Sequence, residues 1–125
     1  MKKKIKDLWV KALRSGEFEK GNGHLELNGK YCALGVLSAL AMLEGICTYD
    51  DRGDGGRFDN KRFSLSCQVM LWSGIALEGC RYLETETGYL HFKLNGLKTN
   101  LAELNDGGFS FDEIADVIEA HWKQF

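Results

Sequence analysis

The chain contains no proline, although glycine occurs 15 times in its 125 residues. Sharp turns must therefore be built from Gly, Asn and Asp, which tolerate a positive φ. Basic residues are not in excess either, since 16 Lys and Arg stand against 18 Asp and Glu, for a formal net charge of −2. Such a chain has no overall field that would draw it onto nucleic acid or an anionic membrane, so we expect neither as a partner.

Long apolar runs are also missing from the sequence. No run approaches the roughly 20 residues that a membrane-spanning helix needs. The basic start resembles that of a signal peptide, but Asp7, Lys11 and Arg14 interrupt the segment that should then be apolar. We therefore expect a cytoplasmic protein, and in that compartment thiols stay reduced, so the sequence predicts that all four cysteines are free. These are Cys32, Cys47, Cys67 and Cys80.

Patterns that bind metals or nucleotides are absent from the sequence. The cysteines are separated by 15, 20 and 13 residues, and neither a C-x-x-C pair nor two closely spaced histidines occur. The acidic stretch that starts at Asp50 fails as a calcium loop, because Arg52 and Lys61 stand where oxygen ligands are needed. No phosphate loop or dinucleotide fingerprint is present. We expect no metal site and no cofactor.

The sequence predicts a single α+β domain that spans residues 1–125. Apolar residues make up 44% and charged residues 27%, as in ordinary globular proteins. The segment Ala33–Leu43 is apolar nearly all round, which predicts a buried helix, and Gly35 within it is expected to allow a neighbouring element to approach closely. We expect about four helices around this central helix, together with two short antiparallel hairpins.

The other helices are predicted from apolar periodicity and from capping residues at their ends. They are an amphipathic helix over Lys3–Ser15, a short helix that begins at Ser64 or Ser66 and ends at Gly74, a single turn capped by Thr99 or Asn100, and a last helix that begins at the capping box Ser110-x-x-Glu113.

The first hairpin is predicted by the turn sequence Asn28-Gly29 between two short alternating segments. Its pairs are Glu26 with Tyr31 and Leu27 with Lys30. Because side chains alternate along a strand, this register places Leu25 and Cys32 on one face and His24 on the other. A second hairpin is predicted from Cys80–Leu83 and Tyr89–Leu94.

Three segments of the sequence carry a resemblance to a known family. They are Trp9-Val-Lys-Ala-Leu-Arg-Ser-Gly-Glu17, Gly29-Lys-Tyr-Cys-Ala-Leu-Gly-Val-Leu37 and Leu101-Ala-Glu-Leu-Asn-Asp-Gly-Gly-Phe-Ser-Phe-Asp-Glu-Ile-Ala-Asp-Val-Ile-Glu119. With them the chain resembles a family of small, mostly uncharacterised proteins of tailed phages and prophages. Ala33 follows Cys32 where that family often has a second cysteine, so no second thiol can act there. The resemblance implies a phage or prophage origin and a host-cytoplasm setting, but no activity.

Cys32 is the strongest candidate for a catalytic residue. It precedes the central helix, where the helix N-terminus favours a thiolate, and papain-like enzymes present their nucleophile in the same way. A histidine base is also needed, and because His24 is predicted on the opposite face, His91 is the partner that catalysis would require. The predicted register instead packs Cys32 inward beside Leu25, so we interpret it as a core residue and assign no catalytic residue.

The segment Asp50–Asn60 is rich in glycine and charge, which predicts an exposed loop. In and just after it, cationic residues alternate with aromatic ones, a pattern that suits a small anionic ligand containing a base or an arginine-rich protein interface. The predicted partner-binding residues are Arg52, Arg57, Phe58, Lys61, Arg62 and Phe63. The other interpretation is a solvated loop whose phenylalanines pack into the core.

Three functions follow from these patterns. The leading one is a non-enzymatic phage or prophage accessory protein, such as a counter-defence factor, that binds and blocks a host protein or a small nucleotide signal. It leads because the chain lacks a complete catalytic set and because the family setting favours small host-takeover factors. The second is a hydrolase or transferase that uses Cys32 and His91. The third is a virion or structural role, which ranks last because the chain has neither repeats nor a coiled coil.

Overall fold

A computed structural model of the chain describes residues 1–75 and 88–125. In this part of the chain, five α-helices and three short antiparallel strand pairs surround one hydrophobic core. The predicted α+β class is therefore confirmed. The described residues contain three antiparallel strand pairs, where the sequence predicts two, and in addition one parallel pair, Glu19–Lys20 with Lys30–Tyr31.

The element bounds are as follows. The helices are α1 (Lys3–Arg14), α2 (Ala33–Leu43), α3 (Cys67–Ser73), α4 (Leu101–Asp106) and α5 (Phe111–His121), with a 3-10 turn over Trp122–Gln124. The strands are β1 (Glu19–Lys20), β2 (Glu26–Leu27), β3 (Lys30–Tyr31), β4 (Tyr49–Asp51), β5 (Gly56–Phe58), β6 (His91–Leu94) and β7 (Leu97–Asn100). Strand β3 lies between β1, to which it is parallel, and β2, to which it is antiparallel, while β4–β5 and β6–β7 are separate hairpins.

Helix α2 is buried over most of its length and has the predicted bounds. Leu34, Val36 and Leu37 are completely inaccessible to solvent. A Cβ atom on Gly35 would overlap the backbone carbonyl of Leu25, so the predicted close approach at this glycine is confirmed. The helix is therefore held against the first hairpin by backbone contact, which a side chain at position 35 would prevent.

The first hairpin has the predicted turn and register. Asn28 and Gly29 both have a positive φ, of 53° and 79°, as the two-residue turn that fits the strand twist requires. The paired residues are Glu26 with Tyr31 and Leu27 with Lys30. The Gly29 N–H also donates to Glu26 Oε1 at 2.9 Å, which fixes the turn further.

The helix starts also follow the sequence prediction. Ser66 caps α3 and Asn100 caps α4, each by accepting a backbone N–H of the first turn with its side-chain oxygen. Ser110 and Glu113 form the reciprocal capping box at the start of α5. Gly74 ends α3 in the left-handed conformation.

The described residues contain a hairpin, β6–β7, that the sequence did not predict. The structure pairs His91–Leu94 with Leu97–Asn100 across Asn95-Gly96, whose φ values of 53° and 82° repeat the geometry of the first turn. The strand predicted at Cys80–Leu83 lies outside the described residues. Leu90 has a φ of 56°, so the extended conformation begins one residue later, at His91.

The segment predicted as the loop Asp50–Asn60 is instead a hairpin, β4–β5. Every residue of β4 is exposed, so the strand has none of the apolar alternation by which strands are recognised in a sequence. Phe58 in β5 is only 1% exposed and anchors the hairpin in the core. At the base of the hairpin, Asp59 Oδ1 accepts from both Thr48 N at 2.9 Å and Thr48 Oγ1 at 3.1 Å.

Helix α1 packs against α5 and against the start of α2. The Trp9 indole is fully buried and its Nε1 donates to the Ala33 carbonyl at 2.9 Å. Lys6 is also buried, and its Nζ lies 2.6 Å from Asp7 Oδ1 and 2.9 Å from Glu119 Oε2. Two carboxylates thus compensate one buried ammonium, which would be costly to bury alone.

The prediction of four free thiols is wrong for Cys67, which is disulfide-bonded. Cys32 and Cys47 are free and buried, and Cys80 lies outside the described residues. The prediction used only the redox state of a compartment, which does not report which cysteines the fold brings together. Among the described helices, none has the length and apolarity that crossing a membrane requires.

The burial of α2 leads to a stability prediction. Leu37→Ala should lower the free energy of unfolding by about 2–5 kcal/mol, because it leaves a cavity in a closely packed site. Leu43 lies at the end of the same helix and is 73% exposed, so Leu43→Ala is the matched control. It should change the free energy of unfolding by about 0.5 kcal/mol or less. Denaturant unfolding followed by circular dichroism measures both. Equal effects of the two substitutions would contradict the central position of α2.

The Lys6 contacts predict a pH dependence. The hydrogen bond from Lys6, followed by that from Lys3, lowers the pKa of Asp7 below its ordinary value of 3.8. The ionised carboxylate therefore stabilises the folded chain above about pH 4, and this contribution is lost as the pH falls through the lower folded-state pKa. Asp7→Asn should thus destabilise the protein at pH 7 and much less at pH 2.

Urea unfolding of the wild type and the variant at the two pH values measures this difference. Asp51→Asn, on the exposed strand β4, serves as the control and should have little effect at either pH. A destabilisation by Asp7→Asn that stays the same at pH 2 would show that the charge of Asp7 does not matter.

Candidate functional site

A cavity of about 260 Å³ lies beside the N-terminus of α2. It combines an imidazole, a thiol, a carboxylate and two aromatic rings that come from distant parts of the sequence. The lining residues are Gly23, His24, Cys32, Phe63, Tyr89, Ala102 and Asp106. We call this cavity the Cys32 cleft.

His24 and Cys32 line the same cleft, so the prediction that they lie apart is wrong. The prediction extended strand alternation back to His24, but β2 begins only at Glu26, and His24 lies in the bend before it. Alternation holds only within a strand. The His24 ring lies 5.2 Å from the ring of Phe63, which joins the hairpin to the segment after β5.

Cys32 caps helix α2 at the floor of the cleft. Its Sγ accepts the Gly35 N–H at 3.4 Å, and the residue is only 5% exposed. Burial raises the pKa of the thiol to about 11, because the hydrogen bonds from the first turn of α2 offset only part of the desolvation. The thiol is therefore protonated at neutral pH. This is the environment of a structural cysteine rather than a nucleophile.

His91, the base that the catalytic alternative requires, does not line the Cys32 cleft. It is exposed on β6, where its backbone pairs with Asn100. The structure therefore does not bring the predicted pair of Cys32 and His91 together in this cleft. His24 is the histidine that lines this cleft together with Cys32.

Asp106 forms a wall of the cleft that the sequence analysis did not identify. Its Oδ1 accepts from Gly23 N at 3.0 Å and from Asn105 Nδ2 at 3.2 Å. Asn105 is fully buried, and its Oδ1 accepts the Ala33 N–H at 3.1 Å while its Nδ2 donates to the Gly21 carbonyl at 2.9 Å. This amide ties α4 to the start of α2 and to the segment before β2. The only sequence signal for it is its place in the third segment of resemblance.

Two of the predicted binding cations hold the β4–β5 hairpin together. Arg57 Nη2 lies 2.9 Å from Asp54 Oδ2, and Arg62 Nη1 lies 3.4 Å from the same oxygen. Their side chains are only 18% and 27% exposed, so the prediction that they are exposed is wrong. The Nε of each is buried and, within the described ranges, has no acceptor.

The other predicted binding residues differ in their environments. Arg52 is exposed and pairs with Asp50 at 2.8 Å, while Lys61 is half-buried and its backbone bridges to Phe58. Phe58 belongs to the core, as the alternative interpretation of the loop proposed. Phe63 is 46% exposed at the edge of the Cys32 cleft, with the Arg62 guanidinium 4.9 Å from its ring centre.

The chain belongs to the family described as a domain of unknown function (DUF8296), which matches residues 1–122. The match covers both the hairpin that carries His24 and Cys32 and the helix α4 that carries Asp106. No curated protein and no solved structure matches the chain. The function must therefore be argued from the cleft itself.

The environment of Cys32 predicts a slow reaction with iodoacetamide. At pH 7.5, without reductant, native Cys32 should be alkylated no faster than Cys47, a second buried free thiol whose pKa is also about 11. Both should react completely once the chain is unfolded in guanidinium. Peptide mass spectrometry after timed quenching measures each site. Alkylation of Cys32 within minutes, with Cys47 still protected, would indicate a reactive thiol.

Proposed function

We propose that this protein is a non-enzymatic phage or prophage accessory protein that binds and blocks a host protein in the host cytoplasm. The proposed contact surface is the Cys32 cleft together with Phe63 at its edge. The observation that carries the proposal is the half-exposed ring of Phe63, which packs against the Arg62 guanidinium and the His24 ring.

An exposed aromatic ring with a fixed orientation is suited to protein binding. Large aromatic side chains and arginine dominate the binding energy of protein interfaces. A side chain that is already immobilised loses little conformational entropy when a partner covers it. Phe63 is an exposed aromatic residue whose ring already contacts Arg62 and His24, and the adjacent cleft offers a recess in which a partner side chain can be buried.

The state of Cys32 supports binding rather than catalysis. The thiol caps a helix, is almost inaccessible and has a pKa raised to about 11 by burial. A nucleophilic cysteine needs the thiolate near neutral pH. Cys67 does not line the cleft, so the proposal does not depend on its disulfide in the host cytoplasm.

A protein partner is better supported than a small anionic ligand. Arg57 and Arg62, the cations that would bind such a ligand, are already paired with Asp54. The carboxylate that lines the cleft, Asp106, would repel a phosphate. One observation favours the nucleotide-signal alternative, which is that the Nε atoms of both arginines have no acceptor among residues 1–75 and 88–125.

A cysteine-dependent hydrolase or transferase is the second candidate function. It is favoured by one observation, which is that Cys32, His24 and Asp106 line a common cavity. In this alternative, His24 rather than His91 would take the proton from the thiol, and Asp106 would orient the imidazole. The alkylation experiment on Cys32 separates this candidate from the binding function.

The proposal predicts that capture of a host protein depends on Phe63. Tagged wild-type protein should retain a host protein from lysate, and Phe63→Ala should weaken that binding at least tenfold. Leu97→Ala is the matched control, because Leu97 is 75% exposed on β7 and lies outside the cleft. Quantitative mass spectrometry of the eluates, followed by calorimetry with the purified partner, measures the effect.

Thermal melting of both variants checks that they fold. Equal capture by the wild type, Phe63→Ala and Leu97→Ala would contradict the proposed surface. Retention of a nucleotide in place of a protein by the wild type would favour the alternative of a small nucleotide signal.

A further inference from the structure

We infer that the Cys32 cleft takes a cationic side chain, either the ammonium of lysine or the guanidinium of arginine. The inference rests on the proposed function, because it specifies which group of the protein partner enters the cleft. It is drawn from the charge of the cleft, from its aromatic wall, from its size and from its fixed geometry.

The charge of the cleft is set by Asp106. Among the described residues that line it, Asp106 has the only carboxylate, and neither a lysine nor an arginine is present. Both hydrogen bonds that hold this carboxylate end on Oδ1, so in the described part of the chain Oδ2 receives none. Because Asp106 is exposed, an ammonium or guanidinium donor would replace solvent at Oδ2 with a charge-assisted hydrogen bond.

The aromatic rings of the cleft favour the same kind of ligand. The faces of Phe and Tyr rings attract cations at distances up to about 6 Å. Phe63 already makes one such contact with Arg62, which shares the Asp54 carboxylate with Arg57. Tyr89 supplies a second, half-buried ring on the cleft wall. A carboxylate next to two aromatic rings is therefore matched to a cation that also has an apolar stem.

The size of the cleft limits what can enter. Its volume of about 260 Å³ lies below the roughly 300–1,000 Å³ of pockets that enclose a drug-sized ligand. One long side chain fits this volume, and a folded segment of the partner does not. The expected mode is therefore a single basic side chain inserted beside Phe63.

The cleft is fixed before binding by the buried amide of Asn105. This side chain joins the Ala33 N–H, the Gly21 carbonyl and Asp106 in one hydrogen-bond network. The wall that carries the carboxylate therefore does not need to be ordered by the ligand, which lowers the cost of binding.

A titration with model side chains tests the inference without the partner. The full chain, labelled with ¹⁵N, is titrated with N-acetyl-arginine methylamide and N-acetyl-lysine methylamide, and separately with the uncharged N-acetyl-norleucine methylamide and with AMP. The two cationic probes should bind with dissociation constants in the millimolar range. They should shift the amide signals of Gly23, Phe63 and Tyr89. AMP should not bind, and the norleucine probe should bind more weakly.

The matched variants are Asp106→Asn and Asp112→Asn. Asp106→Asn keeps the oxygen that accepts the Gly23 N–H but removes the charge, so it should weaken binding of the cationic probes about fivefold. It should leave the norleucine probe unchanged. Asp112→Asn, in the first turn of α5 and outside the cleft, should leave all four titrations unchanged.

Three results would overturn the inference. The first is that AMP binds in preference to the cationic probes. The second is that the norleucine probe binds as tightly as the cationic probes and Asp106→Asn changes none of these affinities. The third is that no probe shifts any amide signal. In each case, loss of capture with Phe63→Ala would still support the proposed function. Selective binding of the cations together with capture that does not depend on Phe63 would instead contradict the proposed function alone.

Discussion

The rest of the structure depends on three segments that the backbone of Leu25 joins. They are the first hairpin, the start of α2 and the segment after β5. The Leu25 carbonyl lies over Gly35 in the space that a Cβ would fill, and the same carbonyl accepts the Cys32 N–H at 3.3 Å. The Leu25 N–H donates to the Arg62 carbonyl at 2.7 Å. His24 precedes Leu25 in the chain, and Phe63 follows Arg62. These backbone bonds therefore bring both side chains to the start of α2. The Cys32 cleft is the direct consequence of this backbone arrangement.

Buried polar groups connect the remaining elements to this centre. Asn105 joins α4 to the first residue of α2, and the Trp9 indole joins α1 to the carbonyl of the same residue, Ala33. Lys6 then joins α1 to α5 through Glu119. Each of these three groups is itself buried, and each hydrogen bond replaces one to water that the group loses on folding. The wall and the floor of the cleft are therefore held by the same network that holds the helices together.

The parts of the fold that could be predicted from the sequence are those with a local signal. The bounds of α2, the turn at Asn28-Gly29 and the caps at Ser66 and Ser110 all follow from residues close together in the chain. The turn at Asn95-Gly96 carried the same signal, but Asn100 was interpreted only as a helix cap, whereas it is both the last residue of β7 and the cap of α4. Strand β4 is exposed throughout and has no pattern to detect.

The candidate site was less predictable than the fold, because it depends on contacts between distant residues. Gly23 and Asp106 are 83 positions apart, and no spacing rule connects them. The predicted position of His24 is wrong because the prediction continues strand alternation back to His24, whereas β2 begins only at Glu26. The predicted exposure of Arg57 and Arg62 is wrong because charge alone does not show that a carboxylate, Asp54, lies between them.

The burial of the Cys32 sulfur also determines how the cleft responds to oxidative stress. Peroxide oxidises cysteine through the thiolate, and the resulting sulfenic acid is larger and more polar than the thiol. Cys32 is almost entirely protonated at neutral pH and almost inaccessible. The floor of the cleft should therefore keep its shape when peroxide is present. An exposed thiol in the same place would make that shape dependent on the redox state of the surroundings.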